Sequence, residues 1–90
     1  MIKIIVAQRG WVVVGHFERS GNHVILTKGA VIRRWGTTHG LGHIAAHGPT
    51  AETVLDPIKL PFECLELTVV GMFACDEAAW AGPLEELMSV

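Results

Sequence analysis

The stretch Trp11-Val-Val-Val-Gly-His-Phe-Glu-Arg-Ser-Gly-Asn-His-Val-Ile-Leu-Thr-Lys-Gly-Ala-Val-Ile-Arg-Arg-Trp35 decides the fold. β-Branched and aromatic residues crowd both sides of Arg19-Ser-Gly-Asn22, whose glycine and asparagine tolerate left-handed backbone angles. Trp11 to Glu18 therefore reads as one strand and His23 to Thr27 as the next. Lys28-Gly29 is short enough for a tight hairpin into a further strand, Ala30 to Trp35. Upstream, Met1 to Ala7 is rich in Ile and Val and is broken by Gln8-Arg9-Gly10. Together these form a four-strand meander. Downstream, Cys64 to Ala74 reads as another strand, bent near Gly71, because a glycine inside a strand marks a bulge or corner. The expectation is a mainly β, β-rich α+β fold over residues 1–90 as a single domain. Its sheet or barrel is small, curved and antiparallel, with five to six strands and one or two short helices.

Between the strand regions, Thr37 to Thr50 is rich in glycine, threonine and histidine around Leu41-Gly-His-Ile-Ala-Ala46. Ile44 to His47, followed by Gly48-Pro49, has the ending of a short helix. Near the C-terminus, Asp76 is placed to cap a turn through Trp80 that stops before Gly82-Pro83. Leu84 to Met88 reads as a second helical piece. Pro57 to Pro61 reads as a loop. The chain shows no internal repeat, low-complexity stretch or charge run.

Of the 90 residues, 50% are hydrophobic and 18% charged, the latter below the roughly 25% of an average globular chain. So small a domain has difficulty hiding that much apolar surface, which points to a homo-oligomer. A formal net charge of −2 argues against a general nucleic-acid binder. Glu63, Glu66 and Gly71 interrupt the most apolar region, so no membrane span is expected. The N-terminal residues lack the apolar core of a secretory signal, so the expected location is the cytoplasm. Cys64 and Cys75, if they bracket one strand, lie roughly 36 Å apart and read as buried free thiols rather than a disulfide.

The best candidate site is Arg33-Arg34-Trp35-Gly36-Thr37-Thr38-His39-Gly40-Leu41-Gly42. Arginine supplies a bidentate donor to an anion, and tryptophan a stacking face for a base. Gly36, Gly40 and Gly42 let backbone N–H groups approach, and Thr37 and Thr38 add hydroxyls. In a regular strand only one of Arg33 and Arg34 can face the ligand. The glycines match neither the dinucleotide fingerprint nor a P-loop, so no cofactor is expected and ATP hydrolysis finds no support. A second constellation, His39-x-x-x-His43-x-x-x-His47, would put three imidazoles within about 80° on a helix, with His16 or His23 available to complete a zinc or nickel shell. Gly40 and Gly42 weaken such a helix, and a straight one spreads the outer pair about 12 Å, too far for one tetrahedral ion.

Other catalytic sets are weaker. Ser20 and Ser89 lie in a turn and a tail without a nucleophile elbow, and the cysteines sit in apolar company that raises a thiol pKa. The acids Asp56, Glu63, Glu66, Asp76, Glu77, Glu85 and Glu86 show no pairing that suggests hydrolysis. Trp11 and Trp80 read as core or subunit-contact residues.

From Trp35 to Asp56 the chain carries W-G-T-x-x-G-L-G, then A, then G-P-T, then T-x-L-D. In this it resembles a family of small, poorly characterised proteins from phages and bacterial genomes. The likeness covers about a quarter of the chain. His39 and His43 depart from it, because the family's residues there are lysine- or glutamate-like, and this counts against a metal. The resemblance brings no activity with it. Phage proteins of this size often act by binding, including the capture of nucleotide immune signals by oligomeric sponges. The leading expectation is thus a non-enzymatic, oligomeric binder of a small anionic ligand, a nucleotide or cyclic nucleotide signal, at subunit boundaries in the host cytoplasm. A protein-binding inhibitor or accessory phage protein with an exposed apolar surface is the alternative, followed by a histidine- or metal-dependent enzyme.

Overall fold

Ile2, Ile4, Ile5 and Ala7 are all buried, so the first strand, β1 (Ile2–Ala7), must be covered on both faces and lie inside a sheet. The computed structural model, which describes residues 1–89, places it there. A single-turn 3₁₀ helix at Gln8–Gly10 returns the chain into β2 (Trp11–Ser20), and Gly21-Asn22 turns it into β3 (His23–Arg34). A short helix, α1 (Leu41–His47), precedes β4 (Val54–Ile58) and β5 (Phe62–Leu65). A 3₁₀ turn at Glu66–Thr68 leads into β6 (Val69–Ala74), and α2 (Glu77–Met88) closes the described chain. All strand pairings are antiparallel, in the order β4-β3-β2-β1-β6, with β5 also on β3. The sheet is curved and unclosed.

Lys28-Gly29 does not make the expected hairpin. The chain runs straight on, and Gly15 of β2 faces both Lys28 and Gly29, since Val14 pairs with Ala30 and His16 with Thr27. This is a β-bulge inside one long strand, with Lys28 at φ 50°. A Cβ on Gly29 would collide with the Val14 carbonyl, so only glycine lets the two strands stay this close. Because one residue is inserted, the side-chain alternation of β3 reverses across the bulge. Val24 and Leu26 join Ile5 and Val13 on one face, whereas Ala30 and Ile32 join Ile2, Ile4 and Val14 on the other.

Two further expectations are corrected around this bulge. The outer edge of β3 is shared, with Gly29 to Arg34 paired to β4 and His23 to Leu26 paired to β5. Pro57 and Ile58 thus belong to a strand, and only Lys59 to Pro61 form a link, opposite the bulge. Cys64 to Ala74 is likewise two strands, broken at Glu66–Thr68 rather than bent at Gly71. That break is anchored: the Glu66 N–H donates to the Asn22 carbonyl at 2.8 Å, and the Glu66 carboxylate pairs with Arg19. Three residues now connect the β3 side of the sheet with the β1 side, which forces the curl.

α1 and α2 cover the Ile2–Ile4–Val14 face through Leu41, Ile44, Ala45, Trp80 and Leu84. Asp76 caps α2 as expected, accepting from the Ala78 and Ala79 N–H groups. The expected break at Gly82-Pro83 is absent, and one helix runs from Glu77 to Met88. Trp80 and Leu84, four apart, are both buried, and each such side chain contributes roughly 1.5–3 kcal/mol, enough to hold the helix through a proline. Pro83 deprives the Ala79 carbonyl of its helical donor, and Gly48 packs at that point, where an added Cβ would sit 2.7 Å from the Ala79 oxygen. The Trp80 indole N–H donates to the Ile44 carbonyl at 2.8 Å and locks the two helices together.

Candidate functional site

The corner after β3 is built by two threonines. Thr53 Oγ1 donates to the Trp35 carbonyl and Thr50 Oγ1 to the Gly36 carbonyl, both at 2.7 Å. The same hydroxyls accept from the Thr50 and Glu52 N–H groups at 2.9 and 3.1 Å. Gly36 has φ 72° and lies directly on the Glu52–Thr53 peptide, so any side chain there is excluded twice over, by conformation and by space. Leu55 pairs with Ile32, and Asp56 sits 3.4 Å from the Arg33 guanidinium. Much of the Trp35–Asp56 motif therefore has a structural role: Gly36, Thr50 and Thr53 fix the corner, Leu41 and Ala45 enter the core with Leu55 against it, and Gly48 packs on Ala79.

What this corner leaves accessible is an open cleft of about 520 Å³ lined by Arg34, Gly36, Thr37, Thr38 and Glu52. The Thr37 hydroxyl accepts from the His39 N–H at 3.0 Å, which leaves its own proton to donate. The structure thus gathers four of the eight residues singled out from the sequence. Arg33 points to Asp56 instead, from the irregularity in the β3–β4 pairing between Ile32 and Arg34. Trp35 is 42% exposed but is not part of the cleft wall. Gly40 precedes α1, and Gly42 lies beside the Phe73 ring. Glu52 escaped sequence reasoning because no motif marks it. Its only signal was its position between Thr50 and Thr53, which a helix-then-loop reading treats as neutral.

The histidines do form a ladder. The ring centroids of His39 and His43 are 4.8 Å apart, and those of His43 and His47 are 4.6 Å apart. Partial burial, then the neighbouring His47 and His39, hold His43 below the usual imidazole range. His23 lies elsewhere, 3.8 Å from Glu63, and His16 stands near Lys28 on the far side of the bulge. Among the described residues, no group of three or more His, Cys, Asp or Glu side chains converges as a metal shell. Cys64 and Cys75 are free thiols on opposite faces of the sheet. Burial, reinforced by Glu77, pushes the Cys75 thiol up to about 12, which leaves it protonated and unreactive at neutral pH. Trp80 is core, as expected, whereas Trp11 is 49% exposed and packs against Phe62.

No helix among the described residues is long and apolar enough to cross a membrane. No protein-family model matches the chain, and no curated protein matches it either.

Proposed function

We propose that the protein is a non-enzymatic binder of a small anionic ligand, a nucleotide or cyclic nucleotide signal, held in the cleft at the end of β3. The observation that carries this reading is the convergence of Arg34, Thr37, Thr38 and the Gly36 backbone on one cleft of about 520 Å³, within the size range of small-molecule sites. Arg34 supplies the charge-assisted hydrogen bond to phosphate, an interaction of roughly 1.5–3 kcal/mol, and the threonine hydroxyls supply neutral donors. Glu52 adds an acceptor to the same wall. An anion with its own donors, such as a ribose hydroxyl or an exocyclic amine, satisfies both signs where a bare phosphate satisfies one. The cleft is shallow and broadly open to solvent, so enclosing a ligand there calls for a second copy of the chain in a homo-oligomer. The likeness to phage proteins supports sequestration of a host immune signal in the cytoplasm as the biological setting.

Thermal denaturation against a panel of cyclic dinucleotides and ADP-ribose isomers tests the reading. A ligand at a hundred times its dissociation constant adds about 2.7 kcal/mol of stability, which is roughly 10–20 °C for a domain of this size. Arg34→Ala is expected to abolish the shift and Arg33→Ala to preserve it. A panel with no shift, or an Arg34→Ala protein that responds like the wild type, overturns the proposal.

A further inference from the structure

The strand β6 ends the sheet, and among the described residues no strand pairs with its outer edge. From Leu67 to Cys75 the sequence carries no charged side chain. Leu67 is 76% exposed, Val70 72%, Met72 43% and Phe73 37%. Sheet edges are normally protected by charge or proline, and the other two edge strands follow that rule: β4 contains Asp56 and Pro57, and β5 contains Glu63. β6 has neither device, and its one bulge, at Val70, leaves Gly71 to Ala74 regularly paired with β1 and their outer edge straight.

Its backbone is also ready to pair. The Cys75 N–H donates to the Ile2 carbonyl at 3.0 Å, so by strand alternation Phe73 and Gly71 turn their polar groups to β1 while Met72 and Ala74 turn theirs outward. Val70 is the extra residue where the β1–β6 register shifts, between the Val6–Gly71 and Ala7–Val69 pairs. α1 packs over the β6 face, with Gly42 against Phe73, and leaves the edge itself open.

We propose that β6 is the docking edge for a second copy of this chain, the two β6 strands running antiparallel about a two-fold axis so that two sheets become one. A second copy fits because the pairing is self-complementary. It sets an uncharged strand against an uncharged strand, matches the outward N–H groups of each copy with the outward C=O groups of the other, and closes without leaving a further open edge of the same kind. The exposed apolar side chains along the edge are few, so the contact falls below the ~800 Å² that each partner contributes to a standard interface. A contact of this size makes the dimer a reversible one. It depends on the β6 edge and not on the cleft, so it forms without ligand.

Sedimentation velocity of the ligand-free full chain, from low to high micromolar concentration, is the test. The expected result is a reversible monomer–dimer equilibrium. Val70→Lys places a charge on the edge at an exposed position, and Met72→Pro removes an outward N–H without removing a bond to β1. Each should weaken the dimer at least about tenfold while far-UV circular dichroism remains that of the wild type. Amide exchange at Met72 and Ala74 should slow as concentration rises. A chain that stays monomeric throughout, variants that associate like the wild type, or open-ended association beyond the dimer would each overturn the proposal. Ligand binding by the cleft is read separately by the thermal-denaturation panel; a strictly monomeric chain would remove the second copy invoked to complete the cleft, but not binding itself.

Discussion

The two faces of the sheet are closed by different means. On one, Ile2, Ile4, Val14, Ala30 and Ile32 lie under two helices pinned by Trp80 and Leu84. On the other, Ile5, Val13, Val24 and Leu26 are also buried, and among the described residues neither α1 nor α2 contributes to their cluster. There the sheet covers itself, bringing Phe17, Phe62, Cys64 and Val69 around the same cluster. The bulge at Lys28-Gly29 makes both possible, because it hands one half of β3 to each face. A 90-residue chain thus builds two small cores from one sheet.

Breaking the hinge between the two cores has the largest expected effect. Gly29→Val drives a side chain into the Val14 carbonyl and removes the close approach of Gly15, so either core can keep its register only at the expense of the other. A loss of at least about 3 kcal/mol is expected, or no folded protein at all, as read by urea denaturation. A Gly29→Val protein of wild-type stability would show that the bulge is incidental. Next come deletions within each core. Trp80→Ala removes the largest buried side chain and the bond to Ile44, and should cost about 3–5 kcal/mol; Leu26→Ala should cost about 2–5 kcal/mol. Amide exchange sharpens the contrast. Trp80→Ala should expose α1 and α2 first and leave β2–β3 protected, whereas Leu26→Ala should loosen β5 and the Glu66–Thr68 link. Identical exchange patterns would mean that the two cores are one cooperative unit.

This comparison also shows what the sequence could and could not tell. The β-rich class, the β1–β2 and β2–β3 turns, the end of α1 at Gly48 and the Asp76 cap were legible because each depends on local chemistry: alternation, turn residues, a helix-stopping glycine and a capping carboxylate. The bulge was not. Lys28-Gly29 has the composition of a tight turn, and only the opposing Gly15 makes a straight passage possible, which is a property of two strands together. Pro57 and Pro83 misled for a related reason, since long-range pairing with Ala30 and burial of Trp80 and Leu84 outweigh what a proline says locally. In the candidate site, the grouping of Arg34, Gly36, Thr37 and Thr38 was legible because the four lie within five consecutive residues. Glu52 was not, because its place in the cleft depends on Thr50 and Thr53 folding that segment back onto Trp35 and Gly36.

The smallest expected effect probes the outer side of the helical layer. His43 stands between His39 and His47, and its environment disfavours the charged ring. The folded-state pKa is lowered, so below the usual imidazole value of about 6.5 the unfolded chain binds the proton more readily than the folded one. The stabilising contribution of neutral His43 is therefore fully present above that pH and is lost as pH falls through the window beneath it. Melting temperature should decline on acidification from neutrality toward pH values around 5, before most carboxylates titrate, and His43→Gln should flatten that decline. Because α1 covers only one face, exchange in α1 should accelerate in this window while Val24 and Leu26 stay protected. An equal decline in His43→Gln would place the acid sensitivity elsewhere, and a simultaneous loss of protection on both faces would show that the helical layer does not open independently of the sheet beneath it.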